Sequence, residues 1–568
     1  MYLRNLHVKS FRCLGDVEFE FQSGLNVLIG ENNSGKTSII DALRLCLTIG
    51  LPRRDIFLST DDFFCDTTGK RSDLIEFDLT FSDPTLEEQG TFIDLLAFRN
   101  SLPELQLHVR YSLQMRNGLE RIVFRYWGGE NEGQSVAPEA MELLYYIYLG
   151  ALRDAERDLA PSKGNRLGQL FLKLLKEPEE QKTYAETIQT KINEDVAWNE
   201  LRRRAKEKVN ENLQKITIQD TPQEVEINFI PLEFRRIVEG LKIQLLRVIK
   251  EGGPLHFEIE QNGLGYNNLI YIATVLGDLL ERKALEKEIY IALLIEEPEA
   301  HLHPQLQDIL FNFLGDVANH GIQIFITSHS PTVTSKTEIA TLTVLEIQNN
   351  NIVAIALRKC LLQEDERKFL QRFLDVTKCQ LFFAKRVVLV EGIPEALLLP
   401  VLAKIKGYDL DKSAVEIVNV GGTAFQPFAK LFNSEDAGKR LEIRCALITD
   451  GDEDAGNNIS PRAEKAKDLE GVELRTFIAK KTFEHELYMS GNGKILTSTY
   501  KELHPNTYVR SADDLVEKLR QNKDKGIFAQ LLSLKLIEQD NLRESFQVPS
   551  YINEALMWLF ADNEQITD

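Results

Sequence analysis

At 568 residues with 43% apolar content, the chain is too long for one hydrophobic core and too apolar for a disordered polymer, so two or more packed domains are expected. A formal charge of -20 excludes a protein coated in basic surface, and confines any nucleic-acid contact to local patches, bridged where needed by metal ions. The opening MYLRNLHVKSFRC carries charges where a signal peptide needs an apolar run, no stretch approaches the ~18 apolar residues of a membrane span, and six scattered cysteines lack CxxC spacing. The expectation is a cytoplasmic protein with no membrane partner, zinc site or disulfide framework.

In chain order, HVKSFRCLGDVEFEF alternates apolar and polar residues and predicts an antiparallel strand pair turning at Gly15-Asp16. Next, LNVLI (Leu25 to Ile29) predicts a strand, followed by Gly30-Glu-Asn-Asn-Ser-Gly-Lys-Thr37 and a helical pattern, SIIDALRLCL. That is the strand, loop and helix order a phosphate-binding loop requires. Gly30 and Gly35 let backbone N–H groups turn inward on phosphates, Lys36 can reach the β and γ oxygens, and Thr37 can hold Mg²⁺. Asn33 and Ser38 complete the candidate nucleotide contacts, and ATP is the implied cofactor.

Tyr148 to Leu170, rich in Arg, Asp and Gly, suggests a functional loop to which no chemistry can be assigned. Arg153 to Lys250 is charged and helical in pattern without long heptad repeats, which predicts a compact helical insertion rather than a coiled-coil arm. Its Arg202-Arg203-Arg204 run could touch DNA, but flanking Glu200 and Glu207 favour a solvated helix face. Gly263 and Gly265, in QNGLGYNN, precede an apolar helix, LIYIATVLGDLL.

IALLIEEPEAHLHPQ then gives an apolar strand ending in Glu296-Glu297. One carboxylate is placed to organise Mg²⁺ and its neighbour to orient or deprotonate the attacking water, a Walker B pattern. The strand Ile322 to Ile326 ends in Thr327-Ser328-His329-Ser330, where His329 could reach the γ-phosphate region. No Q-loop can be placed.

After about residue 375 the pattern restarts. VVLVEGIPEA puts Glu391 at the carboxyl end of a strand and Glu395 one helical turn on, where α/β sheets bind ligands. The strand AVEIVNV ends in Gly421-Gly422, and CALIT (Cys445 to Thr449) delivers Asp450-Gly451-Asp452, an alternating βαβ order that predicts a parallel sheet. Four carboxylates converging in one crevice repel strongly, and divalent Mg²⁺ or Mn²⁺ is the simplest relief.

GENNSGKT, LLIEEPEAHLHP and ITSHSP together resemble the ATPase heads of the ABC, SMC and RecF type, while Glu-Gly with a second Glu four on and a later Asp-x-Asp resembles the Toprim domain. Their union in one chain resembles the OLD (overcoming lysogenization defect) family, relatives of the Gabija nuclease subunit. The resemblance implies an α/β protein, with a P-loop ATPase head over 1–375 that holds a helical, dimerising insertion near 155–250, and a Toprim nuclease domain with a helical extension over 376–568. It further implies that Gly263 and Gly265 belong to a signature segment closing over ATP bound to a second protomer, although the usual serine is missing.

The family's function would make the chain an ATP-binding, metal-dependent DNA endonuclease in antiphage defence or DNA processing. It would be a dimer or tetramer, with a UvrD-like helicase or another defence partner. Two metals per Toprim site would be held by Glu391, Glu395, Asp450, Asp452 and Glu484, with Glu486 a rival for the last place. Lys525, or Lys523 in its stead, would neutralise charge on the phosphodiester. Glu297, His329, Glu391, Asp450 and Lys525 are the candidate catalytic residues. Competing readings are a RecF-like repair ATPase whose Toprim domain only binds DNA, a nucleotide-hydrolysing Toprim enzyme, and a topoisomerase. The last needs a nucleophilic tyrosine, and no DNA-cleaving module surrounds Tyr488, Tyr500, Tyr508 or Tyr551.

Overall fold

The structure is a computed structural model that describes all residues except 51–53, 55, 152–154, 176, 217–223, 229, 248–254, 286–287, 349–350, 423, 454–458 and 562–568. Both bounds assigned to the insertion, Arg153 and Lys250, lie outside the described residues, as does part of the loop suspected of function.

An antiparallel sheet is built from β1 (Tyr2–Phe11), β2 (Leu14–Glu20), β4 (Leu74–Ser82), β5 (Leu96–Arg99), β6 (Leu102–Arg116) and β7 (Leu119–Gly128), in the order β2-β1-β4-β6-β5 with β7 also on β6. Alternation along these strands buries one face. The hairpin does not turn at Gly15-Asp16 as the dipeptide suggests: Phe11 pairs with Leu14, so the turn is Arg12-Cys13. Both partners are fully buried, and Arg12 takes φ 51 because its guanidinium is anchored to Asp41 (2.6 Å) and Asp62 (2.7 Å). Tertiary ion pairing overrides the local turn signal.

Against this layer lies a second sheet, ordered β14-β13-β3-β12-β11-β8. Its strands are β3 (Leu25–Gly30), β8 (Leu144–Leu149), β11 (Tyr290–Glu296), β12 (Gln323–Ser328), β13 (Leu342–Gln348) and β14 (Asn351–Ala356). All pairings are parallel except the β13–β14 hairpin. Because helices cover the other face, the central strands are buried on both sides and read as continuous apolar runs. The order places the ends of β3, β12 and β11 side by side, which brings the phosphate loop, His329 and the Glu296-Glu297 pair to one rim.

The insertion is helical over Arg166–Leu174, Pro178–Glu194, Val196–Ile216 and Phe234–Glu239, with a small antiparallel pair, β9 (Gln244–Arg247) and β10 (Leu255–Glu258). Arg203 is bridged by Glu200 at 2.6 Å and by Glu207, so the arginine run is in large part a self-paired solvated face.

The third sheet is wholly parallel, ordered β16-β15-β17-β18, from β15 (Arg386–Val390), β16 (Val415–Asn419), β17 (Arg444–Thr449) and β18 (Leu474–Ile478). Helices after Phe483 pack on one face, and the last of them returns to the strand starts. There Arg386 Nε donates to Leu559 O (2.7 Å) and Arg444 Nη1 to Trp558 O (2.9 Å). At the junction of the two parallel sheets, Glu346 accepts the Glu442 amide (3.0 Å) while its other oxygen is buried without a partner. Burial pushes this carboxyl up to about 8, and the charges of Glu442 and Glu473 add to the shift. Among the described residues, no helix is long and apolar enough to cross a membrane.

Candidate functional site

The phosphate loop has the backbone its glycines allow. Gly30 and Gly35 have φ of 159° and 84°, Asn33 takes φ 65°, and a Cβ on Gly30 would lie 2.6 Å from Leu345 O. Helix α1 (Lys36–Leu47) begins directly after, so its N-terminus faces the loop. Lys36 Nζ donates to Gly30 O and Glu31 O, both at 2.7 Å. Burial lowers its pKa, against the raising influence of Glu297, Glu299 and Glu31, so the ammonium is poorly solvated and ready to exchange two carbonyls for phosphate oxygens.

Thr37 Oγ1 donates to Glu296 Oε2 (3.2 Å), which joins the phosphate loop to the end of β11. Glu296 also accepts from the Tyr148 hydroxyl (3.2 Å), while burial raises its pKa and Tyr148, hydrogen-bonded to it, opposes the rise. Arg44 lies over the Tyr148 ring, 3.7 Å from its centroid. A Cβ on Gly150 would stand 2.9 Å from the Tyr148 hydroxyl, so the glycine leaves that hydroxyl its place. Glu297 sits at φ 44°, its amide bonded to Thr327 O (2.9 Å) and its carboxylate 3.2 Å from His329 Nδ1. Both residues are partly exposed at the rim, whereas Glu299 is buried and accepts from Ser328 Oγ at 2.5 Å. The sequence reading misses Tyr148 and Glu299; the first lies in the loop suspected of function, the second in the Glu-Glu-Pro-Glu run itself.

Helix α2 (Leu264–Ala284) is capped by Gly263, whose surroundings are open; Leu264 and Tyr266 are exposed beside it. Gly265 does something else. A Cβ there would lie 2.5 Å from His301 O, so this glycine lets the helix approach the segment after β11.

In the third sheet, Glu391 directly follows β15 and helix α3 (Ile393–Ile405) buries Glu395 in its first turn. Strand β17 delivers Thr449 and Asp450, and Gly451 follows because any Cβ would overlap the Ala479 carbonyl. Helix α4 (Phe483–Leu487) brings Glu484, and α5 (Lys525–Glu538) starts with Lys525.

These side chains divide into two groups. Glu391 accepts from Thr449 Oγ1, from the Asp450 amide (3.1 Å) and from Arg462, which ties it to its own scaffold. Asp450, Glu395 and Glu484 form the second group, with Lys525 Nζ 2.9 Å from Glu484. Burial pushes the Asp450 carboxyl up to about 8, and the charges of Glu395 and Glu484 add to it against Lys525. Burial likewise raises Glu395, with Glu484 adding to the shift, and one Glu395 oxygen has no partner. Burial alone would lower Lys525; Glu484, Asp450 and Glu395 together outweigh it and raise it.

Glu391, Glu395, Asp450 and Asp452 therefore do not converge as one ligand set. Asp452 is exposed at φ 46°, beside 454–458, and among the described residues no three His, Cys, Asp or Glu side chains are arranged to hold a metal. Of the rival pairs, it is Glu484 and Lys525 that meet the cluster; Lys523 is exposed at φ 58° after the preceding helix, and Glu486 pairs with His485 at 3.2 Å. Arg462 is a residue the sequence reading misses, carried on the helix after the Asp-Gly-Asp segment.

Tyr551, on helix α6 (Ser550–Phe560), has a buried hydroxyl without a partner. Burial raises its pKa well above the usual phenol, with Asp450, Glu395, Glu486 and Glu484 adding to the shift. The hydroxyl is enclosed in the core of the domain and is not presented at the surface.

Comparison with known proteins matches residues 1–225 and 171–334 to the AAA ATPase domain family, and residues 382–452 to the overcoming lysogenization defect protein-like TOPRIM domain. An OLD nuclease from Thermus scotoductus is 25% identical over 438 residues, 74% of this chain and 78% of its own length. Endonuclease GajA from Bacillus cereus is 24% identical over 375 residues, 53% of either chain, so the match spans about half of that relative. A crystal structure of the C-terminal region of the Xanthomonas campestris pv. campestris OLD protein aligns with 32% of this chain and 94% of its own, at 25% identity and a TM-score of 0.25.

Proposed function

Since the chain belongs to the OLD family, as an AAA ATPase domain followed by an OLD-like TOPRIM domain, we propose that it is an ATP-binding, metal-dependent DNA endonuclease. The observation that carries this reading is the acid cluster around Asp450. Half-buried Asp450 and the buried Glu395 and Glu484 bring three carboxyls together against a single cation, Lys525, so the cluster is short of positive charge. The unpartnered oxygen of Glu395 is a free acceptor in the same cluster, so the donor set fits a divalent cation.

Glu395, Asp450 and Glu484 would hold one ion after closing from their present positions, which are not arranged for it, and Glu391, once released by Arg462, and Asp452 would be the remaining ligands. Such ions, Mg²⁺ or Mn²⁺, would polarise the phosphodiester and acidify an attacking water. The remaining work falls to the chain's own groups. Lys525, held by Glu484, neutralises charge that builds on the phosphate oxygens. The Thr449 hydroxyl and the Asp450 amide keep Glu391 oriented toward the strand ends.

In the head, Lys36 would exchange the loop carbonyls for ATP phosphate oxygens, while the Tyr148, Thr37 and Glu296 contacts fix the acid at the end of β11. Glu297, 3.2 Å from His329, would orient water toward the γ-phosphate. The open N-terminus of α2 at Gly263 suits closure over ATP on a second protomer, a two-state element able to gate access to the nuclease crevice. Action in the cytoplasm in antiphage defence or DNA processing, as a dimer or tetramer with a helicase-like partner, is carried by the resemblance alone.

Plasmid cleavage across a matrix of Mg²⁺, Mn²⁺ and ATP tests the reading, with nicking expected only when a divalent cation is present. A second reading, a DNA-repair ATPase whose Toprim domain binds DNA without cutting, draws support from the Arg462 grip on Glu391. Intact plasmid in every well of that matrix would favour it.

A further inference from the structure

The helical segment beyond the acid cluster carries a groove that the nuclease reading leaves unused. Its volume is about 870 Å³, and one wall is the helix Gly493–Leu503. Lys494, Thr497, Ser498 and Lys501 recur at i, i+3, i+4 and i+7, so they share one face. Leu496, Thr499 and Tyr500 are buried on the other side. The opposite wall is Pro505 to Arg510, with Tyr508 76% exposed.

Three features set this groove apart in a chain of net charge -20. First, the Lys494 and Lys501 side chains make no ion pair among the described residues, and the neighbouring Glu502 is taken by Lys535 at 2.5 Å. Arg510, on the other wall, lies close to Asp514, which accepts its amide at 2.7 Å and is also paired with Lys518. Second, Tyr508 lines the same groove as those cations and presents its ring to solvent. Third, Tyr488, which lines the groove, stands at a kink between two helices, where Gly491 takes φ 103°. Gly493 leaves room for its ring, since a Cβ there would stand 2.9 Å from Tyr488 Cζ. The kink directly follows the helix that carries Glu484, so it joins the groove to the acid cluster.

We propose that this groove binds one strand of nucleic acid and guides it to the Toprim crevice, an assignment that rests on the nuclease reading. Lys494 and Lys501 are separated along the helix axis by about 10.5 Å, close to the rise of three nucleotides in one strand. Tyr508 offers a sequence-tolerant face on which a base stacks. Local free cations let an acidic protein hold a polyanion without overall basic charge.

The test uses the full-length protein in EDTA, so that no cleavage occurs, and reads the anisotropy of a fluorescein-labelled single-stranded oligonucleotide at several salt concentrations. Tyr508→Ala should weaken binding about tenfold. Lys494→Glu with Lys501→Glu should weaken it at least as much and make the slope of log affinity against log salt shallower by about 1.4. Melting temperature and DNA-free ATP turnover, unchanged in both variants, would show that the fold is intact. Parental affinity in both variants, or no binding by the parent, overturns the assignment. Loss with the charge reversals alone, with Tyr508→Ala binding as the parent does, also overturns it and leaves a generic polyanion surface. Groove variants that bind normally while the parent nicks plasmid sink the groove alone; a parent that binds through the groove but never nicks sinks the nuclease reading alone.

Discussion

The Tyr148 hydroxyl donates to Glu296 Oε1 across 3.2 Å, from an edge strand laid parallel to the strand that carries the acid. Burial and the Glu296 charge keep the phenol protonated, so toward this carboxylate it is the donor. Tyr148→Phe removes the donor while leaving a ring for Arg44 to cover. ATP turnover should fall about ten- to hundredfold, the worth of one hydrogen bond to a buried charged group, with melting temperature nearly unchanged. Phosphate release at saturating ATP measures it, and a parental rate would show that Thr37 alone holds Glu296.

Asp450→Asn separates the two sites. The amide keeps an oxygen for the Phe483 N–H, bonded at 2.8 Å in the parent, so the fold should persist while the carboxylate is lost. Plasmid nicking should drop at least a hundredfold and ATP turnover should stay within a factor of two. Equal loss of both activities would show that the sites are not independent.

Lys36→Ala acts on the other centre. It removes two hydrogen bonds from loop carbonyls and the only ammonium reaching into the loop among the described residues, so ATP hydrolysis should fall a hundredfold or more. Retained hydrolysis in a phosphate-release assay would remove the assignment of this loop to nucleotide.

Motifs that are contiguous in the chain are legible in it, and contacts between distant segments are not. Lys36, Thr37, Glu296 and Asp450 announce themselves because strand, loop and helix follow one another within a dozen residues. Tyr148, Arg462 and Tyr551 do not, because each meets its partners only after the sheets assemble; Arg462 and Glu391 are 71 residues apart. The hairpin turn fails for a related reason: Gly15-Asp16 is the stronger local signal, yet Arg12 is held in a left-handed conformation by Asp41 and Asp62, which no dipeptide reveals. The same holds for the acids of the third sheet. Their residue types are readable, but which of them faces which depends on Arg462 and Lys525, carried on later helices.

Tyr551→Phe tests whether the buried phenol matters to chemistry. Its hydroxyl lacks a partner, so deleting it removes an unsatisfied polar group and should stabilise the chain or leave it unchanged. Nicking should survive. Abolished nicking together with a covalent adduct trapped in the parent would restore the tyrosine-dependent alternative.

Glu346 gives stability at the sheet junction a pH dependence of known sign. Its folded pKa, about 8, lies above the value of an unfolded glutamate, near 4.3, so the folded state holds a proton that the unfolded state has lost. Stability from this group is therefore complete below about pH 4 and declines as pH rises through 8. Glu346→Gln keeps an acceptor for the Glu442 amide and removes the ionisation. The melting temperature of the variant should match the parent at pH 4 and exceed it by a few degrees at pH 8.5, where the parent must hold a buried carboxylate beside Glu442 and Glu473. Melting curves in one buffer series of constant ionic strength measure this, and parallel curves for the two proteins across that range would show that water or a cation already solvates the junction.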